Sequence, residues 1–123
     1  MSSVVHEKSF RFAVRIVRLC RVLKKRRVER ELVSQLIRSG TSIAANLSEA
    51  VYGNSTGDFL YRVRVSLREC SETHMWLRLL YETESIQDKE FESINEDCVE
   101  LIKLLTSISV TTQNKMDNEV TQT

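Results

Sequence analysis

Leu32, Leu36, Ile43, Leu47 and Ala50 recur at heptad-like spacing and make an apolar stripe, while Gln35, Ser39, Ser42, Asn46 and Glu49 recur at the same spacing and make a polar one. At about 100° per residue the two stripes lie roughly a quarter turn apart on one helix, expected over about residues 30–52. A polar stripe beside a core-facing one costs free energy unless its members find partners. It therefore marks either a packing network or a functional groove. Gly40 interrupts the pattern at a cost of about 1 kcal/mol relative to Ala. With Ser39, Thr41 and Ser42 around it, it signals the close approach of a neighbouring helix. A third stripe, Val33, Ile37, Ala44 and Val51, makes the helix apolar on a second side, which favours a face shared with another subunit.

The same periodicity predicts three more helices. Phe12, Ala13, Ile16, Leu19, Cys20 and Leu23 share one face of a helix over about residues 9–25, with Arg11, Arg15, Arg18 and Lys25 opposite. The run Lys24-Lys25-Arg26-Arg27 closes it, cations being favourable at the negative end of the helix dipole. Gly53-Asn54-Ser55-Thr56-Gly57 is a turn, and Ser55 with Asp58 has the spacing of a capping box. A helix over about residues 56–83 then presents Phe59, Val63, Ser66, Cys70, Thr73, Leu77 and Leu80 as its inner seam. Arg62, Val65, Glu69, Glu72, Trp76 and Leu79 run beside that seam. Ser85 and Asp88 are capping candidates for a helix over about residues 88–110, in which Phe91, Ile94, Cys98, Leu101, Leu105 and Ile108 keep a/d spacing. Residues 111–123 are polar and aperiodic and read as a disordered tail. Short connections between amphipathic helices give an all-α domain over residues 1–110, an antiparallel up-down-up-down four-helix bundle.

Composition agrees with this pattern, since the 123 residues include no proline and only three glycines. No stretch approaches the roughly 20 apolar residues that span a bilayer, and Met1 to Phe10 lack a signal-peptide core. A cytoplasmic protein without a membrane role is the expectation. Cys20, Cys70 and Cys98 are far apart and lie among apolar residues; without close ligand pairs they read as small core residues in a reducing compartment. The net charge of +1 conceals a division. Residues 1–38 hold 11 Lys/Arg against 3 Asp/Glu, and residues 39–123 hold 7 against 14.

Two groups of residues are candidates for function. If the second and third helices are antiparallel across the turn near residue 54, Arg62 falls beside Asn46 and Glu49, Ser39 beside Glu69, and Arg38 near Glu69 or Glu72. The structural reading of this set, with Ser42 and Trp76, is a network that fixes helix register or assembly; the functional reading is a polar cleft or pore lining. The second group is Arg11, Arg15, Arg18, Arg21, Lys24, Lys25, Arg26 and Arg27, which could neutralise several phosphates. Its structural alternative is a solvated face balanced by Glu92, Glu96 and Glu100. No aromatic residues interleave with it, so backbone contact rather than base stacking is expected. Catalysis finds little support: His74 beside Glu72 has no Ser or Cys at an informative spacing, and neither a metal-ligand cluster nor a phosphate-cradling glycine loop is present. No enzyme activity, cofactor or metal is expected.

Ser39-Gly-Thr-Ser-Ile-Ala-Ala-Asn46, Glu49-Ala50, Ser55 with Asp58-Phe59, and Glu69-Cys-Ser-Glu72-Thr-His-Met-Trp76-Leu77 together resemble the four-helix bundle protein family. That family is also called the rRNA intervening-sequence protein family, after reading frames inside inserted segments of bacterial large-subunit rRNA genes. Ser9-Phe10, Phe12-Ala13 and Ile16-Val17 resemble its first helix, so the likeness covers about residues 9–108. Ala44 stands where the family often has Gly, Ser66 and Cys70 where it has Ala, and Met75 where it has Tyr. The resemblance implies a homopentameric ring and supplies no catalytic residues; in its light Asn46, Glu49, Glu72 and Trp76 are candidate assembly determinants. The chain is also similar to the accessory variability proteins of diversity-generating retroelements, which are pentameric, basic and nucleic-acid binding, and associate with a reverse transcriptase. Taken together, the expectation is an oligomeric, non-enzymatic bundle that binds nucleic acid, structured RNA foremost, through its first helix. The alternative is a scaffold or accessory subunit for an unknown protein partner.

Overall fold

Four α-helices make up the computed structural model, which describes residues 3–122: α1 Ser3–Lys25, α2 Arg30–Ala50, α3 Thr56–Glu82 and α4 Asp88–Gln122. Met1 and Ser2, inside the expected domain, and Thr123, in its expected tail, lie outside the described residues. Each helix packs on the one before it and α4 returns to α1, with no backbone contact across either diagonal among the described residues. Cross-helix partners fix the directions. Ile16 meets Gly40 while His6 meets Ser48, and Arg38 meets Glu69 while Arg62 meets Asn46. Likewise His74 meets Asn95 while Tyr81 stacks on Phe91, and Arg26 meets Glu90 while Lys8 meets Glu100. Every adjacent pair is antiparallel, so the topology is up-down-up-down.

The predicted seams converge on one core. Phe12, Ile16 and Leu23 from α1, Leu36, Ile43 and Leu47 from α2, Val63, Leu77 and Leu80 from α3, and Leu101 and Leu105 from α4 are all buried. Four small hydroxyl residues, Ser9, Ser39, Ser66 and Thr73, are buried with them. Each finds a partner. Ser9 donates to the His6 carbonyl, Ser66 to the Ile43 carbonyl, and Thr73 to Ser39 Oγ at 2.9 Å. No buried side-chain polar atom among the described residues lacks a hydrogen bond, as a packed interior requires.

Gly40 does allow a close approach, and the neighbour is α1. A Cβ at this position would lie 2.8 Å from two carbons of Ile16. The third stripe of α2, expected to face another subunit, is instead turned largely into the chain's own interior, with Ile37 half-buried. Val33 and Ala44 are buried within the chain, and only Val51 of that set is exposed.

Helix ends depart from expectation in three places. The α1 helix begins at Ser3 rather than near Ser9, because Val5 is buried and Lys8 pairs with Glu100. The segment expected to be a disordered tail is instead the last part of α4. It lies along the start of α3, where Arg64 donates to Gln113 at 2.8 Å and Met116 reaches Gly57. The N-cap of α4 is neither Ser85 nor Asp88: Glu90 reaches back to accept from the Gln87 backbone N–H at 2.9 Å, one half of a capping box. Ser55 caps α3 as its spacing predicts, accepting from the Asp58 N–H.

Candidate functional site

The arginine stripe of α1 divides in two. Arg15 donates to Asp97 at 2.6 Å and to the Ser93 hydroxyl and carbonyl on α4. Arg26 grips Glu90 with both guanidinium nitrogens, at 3.0 and 2.8 Å, and also reaches the Ser85 carbonyl. This bidentate pair, with the Gln87 N–H, holds the Glu90 carboxyl below its ordinary range, and Glu90 in turn raises the Arg26 guanidinium. Arg11 pairs with Glu7 one turn earlier. These three are therefore neutralised within the chain, by Glu7, Asp97 and Glu90. Glu100 balances Lys8 instead, and neither Glu92 nor Glu96 makes an ion pair with α1 among the described residues.

Arg18, Arg21, Lys24, Lys25 and Arg27 remain. All are exposed, and none forms an ion pair among the described residues. They run along the second half of α1 into the turn before α2. Arg30 joins them as the first residue of α2, likewise exposed and without an ion pair among the described residues. The sequence reading missed it because it fell outside the helical stripe. Arg27 holds a left-handed backbone with φ 62°, and Val28 and Arg27 donate back to the Leu23 and Lys24 carbonyls. That paired motif ends the helix and turns the chain, placing Arg27 and Arg30 at the same end of the bundle as Lys24 and Lys25. The N-cap of α2, Glu29, makes no side-chain cap, so the positive end of the α2 dipole adds to the local field.

The polar stripe of α2 also finds partners, Ser39, Asn46 and Glu49 on α3 and Gln35 and Ser42 within α2. Arg62 donates to Asn46 Oδ1 at 3.0 Å and lies 2.9 Å from Glu49. Arg38 bridges Glu69, at 3.1 Å, and Glu72. Ser42 bonds within its own helix to the Arg38 carbonyl. The expected proximity of Ser39 to Glu69 is replaced by a bond to Thr73 one turn on, since Ser39 is fully buried and Glu69 faces the surface edge. The stripe is thus split: Ser39 and Thr73 lie inside, while Arg38, Glu69, Glu72, Asn46, Glu49 and Arg62 line the outer α2–α3 face. Trp76 sits half-buried there, its ring N–H 3.4 Å from Glu72, next to the partly exposed Leu79. His74 points the other way, to Asn95 on α4 at 2.8 Å. His74 and Glu72, close in sequence, are therefore divided between two faces of α3.

Comparison with known proteins adds a family and a fold. A sequence model described as 23S rRNA-intervening sequence protein matches residues 1–107. The crystal structure of a protein of unknown function from the S23 ribosomal protein family of Bacteroides thetaiotaomicron is similar, with TM-score 0.83 and 46% sequence identity over 85% of this chain and 97% of that one. No curated protein matches the chain. No helix among the described residues is long and apolar enough to cross a membrane.

Proposed function

Since the chain belongs to the 23S rRNA-intervening sequence protein family, we propose that it is a non-enzymatic bundle that binds structured RNA by its phosphates, at the basic end formed by α1 and the α1–α2 turn. The observation that carries this reading is the division of the arginine stripe. Arg11, Arg15 and Arg26 are committed to carboxylates of the same chain, whereas Arg18, Arg21, Lys24, Lys25, Arg27 and Arg30 are exposed and cluster at one end. Six cations within reach of one another, at a helix start, attract a phosphate backbone through charge and fork-shaped donors. With no aromatic side chain among them, they track the backbone and not the bases, so a helical RNA is favoured over an unstructured strand.

Assembly belongs to the same proposal. The outer α2–α3 face carries half-buried Trp76 and Val65 and partly exposed Leu79 around ion pairs already satisfied within the chain. Such a surface suits a second copy, the aromatic anchor supplying apolar contact and the paired charges costing little to cover. A cytoplasmic homopentameric ring would repeat the basic end around its axis and multiply a field that the net charge of +1 understates. If RNA does not bind, the same ring is a scaffold for a protein partner.

The decisive variant reverses Lys24, Lys25 and Arg27 to Glu. Affinity for a hairpin RNA at low salt is expected to fall by at least tenfold, with the assembly mass by light scattering unchanged. The matching reversal of Arg11 alone is expected to have a much smaller effect. Equal loss from both variants, or no loss from the first, would refute the placement.

A further inference from the structure

We propose that Cys70 on α3 and Cys98 on α4 form a site of reversible covalent modification, an intrachain disulfide that staples the two helices together. Their sulfurs lie 3.9 Å apart. Each Sγ is also 3.5 Å from the carbonyl oxygen of the other residue. That reciprocal arrangement means the two cysteines stand directly opposite one another across the α3–α4 contact, with no side chain between the sulfurs. A disulfide needs them at about 2 Å, and the remaining approach of roughly 2 Å is shared between two side-chain rotations and a small inward shift of the helices.

Cys20 does not compete. It is buried on the other side of the bundle, where its thiol donates to the Val33 carbonyl at 3.8 Å. Burial pushes that thiol up to about 11.

The chemistry is thiol–disulfide exchange with a small-molecule disulfide as oxidant. One cysteine loses its proton to solvent and its thiolate attacks the small disulfide. A mixed disulfide forms and one small thiolate leaves. The second cysteine, deprotonated in turn, attacks the protein-bound sulfur and expels the other small thiolate. Two protein thiols are oxidised, one disulfide is reduced to two thiols, and the two protons released to solvent end on those products.

Access controls the rate. Both cysteines are fully buried, and the adjoining Cys98 thiol together with burial holds the Cys70 thiol protonated, above its ordinary range. The reactive thiolate therefore arises only when α3 and α4 part locally. Once formed, the bond closes the segment between residues 70 and 98, which are 28 positions apart. It also prevents the separation that admitted the oxidant. Oxidation is thus slow in the native bundle and self-locking afterwards.

The test incubates the full chain with oxidised glutathione, with and without a sub-denaturing concentration of urea, followed by alkylation and peptide mass spectrometry. The expected product links the Cys70 and Cys98 peptides, at a mass lower by two hydrogens, with Cys20 alkylated. Its rate of formation is expected to rise at least tenfold in urea, and the oxidised chain to melt roughly 5–15 °C higher. Cys20→Ala should retain the link and Cys98→Ala should lose it. Should Cys98→Ala fail to fold, the wild-type peptide map still decides. Separate alkylation of Cys70 and Cys98 after oxidation in urea, a lasting glutathione adduct on either, or linkage to Cys20 would each overturn the proposal.

Discussion

Gly40 shows how much one missing methyl group decides. An alanine at this position would ordinarily strengthen the helix by about 1 kcal/mol. Here its Cβ would stand 2.8 Å from Ile16 Cγ1 and Cγ2 and 3.2 Å from Ile16 Cβ. Ile16 is branched at Cβ, fully buried and held to one rotamer in a helix, so it cannot swing aside. Overpacking of this kind costs about 1–3 kcal/mol, and the clash outweighs the propensity gain. Gly40→Ala should lower the denaturation midpoint; a midpoint equal to or above that of the wild type would show that α1 moves away freely. Arg62 makes the opposite case. Its partners are visible in the sequence spacing, but the Glu49 side chain is 60% exposed, so water replaces the arginine at little cost. Arg62→Ala in the isolated chain should therefore cost at most about 1 kcal/mol. A loss of several kcal/mol in urea denaturation would mean that this face is covered by another copy. The sequence made the α2–α3 partners legible because one short turn sets their register. It could not say which stripe members lie inside, a matter of helix rotation, which puts Ser39 against Thr73 and leaves Glu69 at the edge.

Among the elements, the α1–α4 seam is where the sequence was least informative. Phe12, Ile16 and Leu23 were readable as core from their period alone. Arg15 and Arg26 were not readable as neutralised, because their partners Asp97 and Glu90 lie 82 and 64 positions away. The extension of α4 was hidden for a related reason. Its anchors, Gln113 and Met116, are half-buried against α3 without forming an apolar period. Glu90 links both themes, capping α4 through the Gln87 N–H while binding Arg26 of α1. Its carboxyl is held below the ordinary value of 4.5 in the folded chain. The stabilisation it provides is therefore full above that ordinary value and is lost as pH falls through the lower folded one. Wild type should exceed Glu90→Gln in stability at neutral pH by no more than about 1 kcal/mol. The gap should close on acidification below pH 4.5. A gap that stays constant with pH in denaturant titrations would show that the variant lost packing and not charge.

For the whole molecule, the division of charge read along the chain survives folding in altered form. Part of the basic helix is folded onto acidic α4, as Arg15–Asp97, Arg26–Glu90 and Lys8–Glu100. What remains is concentrated at one end, from Arg18 to Arg30. The α2–α3 face, with half-buried Trp76 and partly exposed Leu79, is the surface proposed above for a second copy. If the proposed RNA contact is made through phosphates, binding displaces counterions and the affinity must carry the signature of that exchange. The most direct measurement is the affinity of the wild-type chain for a hairpin RNA across a series of salt concentrations. The account predicts binding at low salt and a linear fall of log K with log salt, its slope corresponding to about three to six phosphates per basic end. No binding at low salt, or an affinity indifferent to salt, would contradict it and return the bundle to the role of a protein scaffold.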